Sequence, residues 1–136
     1  MKSDADLLQT FKIEKQPDGI IFIELFESES DEANNGRQAE LIAEAITKVV
    51  NEHPGKPANY LVDLTLAGNV SYMSPHAREV YTNLPKVSNF NKAAIIGQSL
   101  FLEITVNLVM QATGRGHSFK WFNNRQEARE WLTTNI

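Results

Sequence analysis

The order of apolar segments constrains the fold of this chain more than any other feature. Segments 9–15 and 20–26 alternate or run apolar, and Pro17-Asp18-Gly19 between them is typical of a turn, which predicts an antiparallel hairpin. Segments of strand character then alternate with segments of helical spacing. The predicted order is β-β-α-β-α-β-α-β-α, which favours right-handed crossovers and a mixed sheet whose later strands are parallel.

The boundaries of these segments follow from capping residues, glycines and prolines. Helices are predicted over the segment that contains Ala39 to Val50, from Ser74 to Pro85, from Ser99 to Thr113 and after Asn124, and further strands over 60–64, 92–97 and 118–122. Residues 65–73 form the longest irregular stretch, so the sequence predicts an unusually long strand-to-helix connection there.

Length and composition predict one soluble α/β domain over residues 1–136, with residues 1–8 as a flexible N-terminal segment. A net charge of -4 lacks the basic footprint that binds nucleic acid or an anionic membrane surface. The chain contains no cysteine, which excludes disulfides and thiolate chemistry. It has neither an apolar signal segment nor a stretch long enough to span a membrane, so we expect a cytoplasmic protein.

No pattern in the sequence predicts a metal, a cofactor or a catalytic group. The three histidines lack metal-ligand spacing, and the G-x-G around Arg115 closes a helix instead of following a strand. Ser74 and His76 cannot act as nucleophile and base, because residues two apart on a helix point to different sides. An enzyme therefore remains the least favoured class, unless folding brings Asp63, Ser74 and His117 together.

Two predicted helix starts, at Ser74 and Ser99, should meet at the edge of the sheet where open α/β folds bind ligands. Their unpaired N–H groups could hold an anion together, or each serine could simply cap its own helix. Asp63, at the end of a strand, could bind a ligand or bond to loop N–H groups, and Arg115 could reach an anion or stay in a solvated turn.

The helix from Ser99 to Thr113 is apolar over more of its surface than one sheet face can bury. Glu103, Asn107 and Gln111 form one narrow polar stripe, while Leu102 and Val106 belong to the wide apolar remainder. A neighbouring helix, a second subunit or an apolar ligand must cover the extra flank.

The hairpin, the strand "YLVDLT", the helix start at Ser74, the strand "KAAIIG" and the ending "EAREWL" resemble the SpoIIAA-like family of small bacterial proteins, which is related to STAS and CRAL-TRIO domains. The resemblance covers residues 9–132. It implies a STAS-like mixed sheet with helices packed on it and a role without catalysis.

The resemblance also implies two modes of action. STAS-type proteins accept a phosphate on a serine within a D-S-[SG]-G pattern; Ser74 has the matching place, but its neighbours Met73 and Pro75 depart from the pattern. The relationship to CRAL-TRIO domains implies binding of an apolar ligand. The leading hypothesis is a regulatory module that binds a lipid-like or amphipathic molecule near Asp63, Ser74, Ser99, Leu102, Val106 and Arg115; the alternative is a protein-interaction switch regulated at Ser74. A homodimer fits both.

Overall fold

The predicted hairpin forms the first two strands of the computed structural model, which describes residues 1–86 and 88–134. β1 (Phe11–Lys15) pairs antiparallel with β2 (Ile21–Leu25). The turn is fixed by Asp18, whose Oδ1 accepts the Ile20 N–H at 3.0 Å, and by Gly19 at φ +89°, a conformation that side chains with a Cβ rarely adopt.

Three parallel strands extend the sheet beyond the hairpin. β3 (Ala58–Asp63), β4 (Phe90–Ile96) and β5 (Phe119–Phe122) follow β2 in the order β1-β2-β3-β4-β5, and β2 to β5 run parallel. The prediction of a mixed sheet whose later strands are parallel is confirmed. The carboxyl ends of β2, β3 and β4 therefore meet at one edge.

Five helices pack around the sheet. They are α1 (Asp4–Leu8), α2 (Glu32–Glu52), α3 (Pro75–Asn83), α4 (Leu100–Ala112) and α5 (Arg125–Thr133), with 3-10 turns at Thr65–Ala67, Leu84–Lys86 and Gly116–Ser118. Asp31, Ser74, Ser99 and Asn124 cap α2 to α5 by accepting a first-turn N–H. Among the described residues, none of the helices combines the length and apolarity needed to cross a membrane.

Helix α1 differs from the flexible segment expected for residues 1–8. Leu7 is fully buried against the core, and Arg37 of α2 holds Asp4 through an ion pair of 2.7 Å. Lys2 Nζ lies 3.0 Å from Glu29. A segment this short carries too few apolar residues for a helical period, so its order depends on these long-range contacts.

The side chains of alternate sheet positions enter two separate cores. One core joins Ile21, Ile23, Tyr60 and Ala93 to Leu41, Ile42 and Ile46 of α2. The other joins Phe22, Leu61, Ala94, Ile96 and Phe122 to Ala128 and Leu132 of α5. Both faces of the sheet are therefore buried, which explains the continuously apolar strands.

Helices α2, α3 and α4 share one face because successive right-handed crossovers along one direction place their helices on the same side. The last helix, α5, begins no further crossover and packs on the opposite face. Within the described residues, the three crossover helices and α1 thus pack on one face while α5 covers the other, and this asymmetry positions the candidate site.

Candidate functional site

An apolar cavity of about 160 Å³ lies between the sheet and helices α2, α3 and α4. Ile23 and Val62 of the sheet line it, opposite Ile42 and Ile46 of α2. The connection that precedes α3 contributes Val70, Tyr72 and Met73, and Tyr81 and Leu84 come from the end of α3 and the turn after it. All three crossover connections therefore contribute to this space.

One flank of α4 lines this cavity. The side chains are Leu102, Val106, Val109 and Met110. Leu102 and Val106 are two of the residues that the sequence predicts as ligand contacts, and their contact with a ligand stays a prediction. A smaller chamber of about 70 Å³ adjoins the cavity, since Tyr81 and Met110 line both spaces.

The opposite flank of α4 faces outward. Leu100, Ile104 and Leu108 are 68%, 53% and 64% exposed and recur every four residues. No helix of the described chain covers this stripe, whereas a neighbouring helix, α3, packs against the Leu102 side of α4. The excess apolar surface of α4 thus divides into a cavity wall and a solvent-facing stripe.

The cavity lining includes a few polar groups and no charged side chain. Asn35 is fully engaged, because its Oδ1 accepts the Ser74 N–H at 2.8 Å and its Nδ2 donates to the Glu29 carbonyl at 2.9 Å. Tyr72 and Tyr81 also line the cavity, and desolvation raises the pKa of Tyr81 above its ordinary value. Tyr81 is therefore neutral at physiological pH.

Gln38 is the polar residue of the lining that sequence reasoning missed. It is 4% exposed and donates from Nε2 to Thr10 Oγ1 at 2.8 Å and to the Glu27 carbonyl at 3.0 Å. A signal was present, because Gln38, Ile42 and Ile46 are four residues apart and share one face of α2. A polar residue on the apolar face of a helix needs a hydrogen-bond partner, and these long-range contacts supply it.

Ser74 caps α3 and is completely buried. Its Oγ accepts the Ala77 N–H at 3.0 Å, and Pro75 follows at the first helical position, where its missing N–H leaves no bond unmade. The Ser74 hydroxyl therefore satisfies the helix start, and a kinase could reach it only after this start opens.

Ser99 caps α4 in the same way and also fixes the long loop. Its Oγ accepts the Leu102 N–H at 3.1 Å and donates to the Val70 carbonyl. Val70 belongs to an apolar cluster with Met73, Ala77 and Leu102, so the loop packs against the starts of both helices. The serines use these helix starts for capping, and neither hydroxyl lines the cavity.

Asp63 lies on the opposite face of the sheet from the cavity, beside Glu24 in the parallel register. Arg125 bridges the two carboxylates, with Nε 2.6 Å from Asp63 and a terminal nitrogen 2.9 Å from Glu24. Burial opposes ionisation of Asp63, but the Thr65 N–H at 2.9 Å and Arg125 outweigh it and lower its pKa. Sequence reasoning identified the loop N–H as a partner but missed Arg125, which lies 62 residues away.

Arg115 is half-buried and contacts the β4 strand. Its guanidinium carbon lies 3.9 Å from the centre of the Phe90 ring, and a terminal nitrogen donates to the Phe90 carbonyl at 3.1 Å. This cation-π and hydrogen-bond pair anchors the turn after α4. The cavity lining does not include Arg115.

The polar groups that could form a catalytic set are engaged separately. Asp63 bonds to Thr65 and Arg125, Ser74 bonds to Ala77, and His117 is exposed. His76 bonds to Glu40 at 2.6 Å. In the described part of the chain, no hydrogen bond links Ser74 to a histidine and no cluster of metal-ligating side chains occurs.

A family model described as SpoIIAA-like matches residues 20–133 of the 136-residue chain. The match includes β2 to β5 and helices α2 to α5, and thus the whole cavity. The arrangement of a mixed five-stranded sheet with helices packed on it agrees with the STAS-like fold that the sequence predicts. A search among curated proteins gives no match.

Proposed function

Because this chain belongs to the SpoIIAA-like family and contains an apolar cavity beneath α4, we propose that it is a binding module for a small apolar or amphipathic molecule. Domains of this family are of the STAS type and are generally non-enzymatic. The proposed ligand lies between the sheet and α2, α3 and α4, against Leu102 and Val106. A sequence without cysteine fits the reducing cytoplasm as its compartment.

The single observation that carries this proposal is the volume of the cavity. Protein interiors are packed nearly as densely as organic crystals. Leaving the apolar lining of this space of about 160 Å³ in contact with water costs free energy in proportion to the apolar area exposed. A ligand of complementary shape would recover this free energy, which supports an apolar occupant.

We propose that a ligand enters where the cavity lining reaches the protein surface. Ser28, in the connection between β2 and α2, is exposed and lines the cavity, and Val106 is half-buried. A ligand entering here would pass between this connection and α4. This route leaves the sheet intact.

Thermal unfolding with toluene as a probe, together with native mass spectrometry of gently purified protein, tests the proposal. A ligand that binds only the folded state raises its stability by RT ln(1 + [L]/Kd). We expect toluene to raise Tm in the wild type but not in Val106→Phe, whose ring fills the cavity. Ile104→Phe is the matched control, because it adds a similar side chain to the outward flank and should retain the response.

Two results together would overturn this proposal. One is reproducibly ligand-free protein in native spectra, and the other is an unchanged Tm with toluene, decanoate and phospholipid. An equal response of Val106→Phe and the wild type would instead place the ligand outside this cavity.

A second candidate function is a protein-interaction module, which the exposed stripe of Leu100, Ile104 and Leu108 favours. Contiguous exposed apolar side chains on a helix are typical of protein contacts. The partner could be another protein or a second copy of the chain. Light scattering distinguishes a homodimer from the 15.3 kDa monomer.

Phosphorylation of Ser74 is the proposed switch for this second candidate. A phosphate would place a dianion at the start of α3 and would displace the buried hydroxyl from its capping position. Incubation with lysate kinases and peptide mapping tests this step. An unmodified Ser74, or an unchanged set of partners for Ser74→Glu, would count against it.

A further inference from the structure

We infer that the cavity is selective for a compact, uncharged molecule that carries a hydrogen-bond donor, and that Gln38 Oε1 accepts this donor. This inference rests on the proposed binding function and narrows its ligand class. It depends on three properties of the cavity: its volume, its lack of charge and an amide oxygen of the lining that receives no donor from the described residues.

Volume limits the ligand to about the size of one aromatic ring. An engineered cavity of about 150 Å³ lined by apolar side chains binds benzene. The main cavity here is of similar size, and the adjoining chamber of about 70 Å³ leaves room for a short substituent. A long acyl chain would extend well beyond both spaces.

The lining also limits the charge of the ligand. It contains no Lys, Arg, His, Asp or Glu, so an ionised group would be buried without a counter-ion. Transfer of an unpaired ion into an apolar site is strongly unfavourable. A carboxylate such as benzoate is therefore excluded from the interior, whereas a neutral alcohol, phenol or indole is acceptable.

The hydrogen bonds of Gln38 determine which end of its amide remains available. Thr10 Oγ1 donates its proton to the Leu7 carbonyl at 2.5 Å, so it must act as the acceptor of its 2.8 Å bond with Gln38. The Glu27 carbonyl is also an acceptor. Both partners therefore bond to the Nε2 group, and Oε1 is left as an acceptor that receives no donor within residues 1–86 and 88–134.

No side-chain nitrogen or oxygen of the described residues is both fully buried and without a hydrogen-bond partner, so Gln38 Oε1 retains contact with solvent although its residue is only 4% exposed. A ligand that displaces this solvent without supplying a donor would leave the oxygen buried without a partner, at a cost of about 1 to 3 kcal/mol. Gln38 lines the cavity, so a donor on the bound molecule can supply this partner. The Tyr81 hydroxyl lines the same cavity and makes no hydrogen bond within the described chain. It provides the matched comparison for the experiment.

Titration calorimetry with toluene, phenol and benzoate tests the inference on the full chain. An apolar cavity without an acceptor would bind phenol about 100-fold more weakly than toluene, because the hydroxyl would be buried unpaired. We expect phenol to bind within about tenfold of toluene in this protein, and benzoate to show no binding.

Two variants test whether Gln38 Oε1 is the group that accepts the hydrogen bond from phenol. Gln38→Met retains the side-chain volume but removes Oε1, so it should weaken phenol binding about tenfold or more and change toluene binding about threefold or less. Tyr81→Phe should change the affinities for phenol and toluene by a similar factor, because it leaves Gln38 Oε1 in place. Gln38→Met also removes the bonds to Thr10 and Glu27, so circular dichroism must first verify its fold.

A measurement on the wild type keeps the inference testable if Gln38→Met does not fold. Phenol should shift the side-chain amide resonance of Gln38 in ¹⁵N spectra much more than toluene does. Toluene binding without measurable phenol binding, or loss of phenol only in Tyr81→Phe, would overturn the inference and leave the proposed function standing. Failure of every probe would overturn both.

Discussion

Asp63 at the end of β3 and Arg125 at the start of α5 form a 2.6 Å ion pair on the sheet face opposite the cavity. The carboxylate is almost completely buried, whereas half of the arginine side chain is exposed. The same guanidinium forms an ion pair of 2.9 Å with Glu24, which is the partner of Asp63 in the register of β2 and β3. One arginine thus bridges two adjacent carboxylates and joins α5 to the carboxyl ends of β2 and β3, while Lys12 Nζ lies 3.9 Å from Glu24 as a second positive charge.

Asp63→Asn should lower the free energy of unfolding at neutral pH by about 2 kcal/mol, because it weakens charge-assisted hydrogen bonds to Arg125 and Thr65. Urea unfolding measures this change. Asp18→Asn is the control, since Asp18 forms an exposed ion pair with Arg129 and should cost less than about 1 kcal/mol.

The ion pair between Asp63 and Arg125 predicts that the free energy of unfolding depends on pH. The pKa of Asp63 is lower in the folded state, so its contribution to stability is present above the unfolded pKa of about 4 and is lost as the pH falls through the folded value. Wild-type stability should therefore decline more steeply than that of Asp63→Asn between about pH 5 and pH 3. Parallel acid profiles for the two proteins would contradict this contribution.

Gly97→Ala should destabilise the fold, because its Cβ would lie 2.8 Å from two ring atoms of Trp121. Overpacking of this kind costs about 1 to 3 kcal/mol. Gly116→Ala is the control, since its nearest neighbour would be 3.5 Å away. A double-mutant cycle with Trp121→Phe should give less than additive losses, and strict additivity would indicate that the contact is not the cause.

Ser99→Ala should destabilise the protein by about 2 kcal/mol, near the upper end of measured cap losses. Its hydroxyl both caps α4 and donates to the Val70 carbonyl, so both bonds are lost in a buried setting. Asn124→Ala removes the exposed cap of α5 and should cost only about 1 kcal/mol. Thermal unfolding compares the two, and equal losses would mean that the Val70 bond contributes nothing.

Leu108→Gln on the outward flank of α4 should change the free energy of unfolding by no more than about 0.5 kcal/mol, because this side chain is 64% exposed. Val109→Ala on the same helix should cost several times more, since Val109 is buried at the cavity. If copies associate through this stripe, Leu108→Gln should also shift light scattering toward a mass near 15.3 kDa.

The sequence alone determined the order of the elements from β1 to α5, but not helix α1. Turn residues at Pro17-Asp18-Gly19, caps at Ser74, Ser99 and Asn124, and the alternation of strand and helix patterns are local signals, and the observed elements lie within a few residues of them. Local signals suffice here because capping and turn conformation depend on neighbours in the chain.

The tertiary structure alone decided where side chains from distant elements meet. The α4 sequence required two covers for its apolar flanks, but only the packed helices show that Leu102 and Val106 line a cavity while Ile104 faces solvent. The orientation of Gln38 and the pairing of Asp63 with Arg125 depend on contacts across 28 and 62 residues. Such contacts follow from how whole elements pack, which no short pattern in a single sequence specifies.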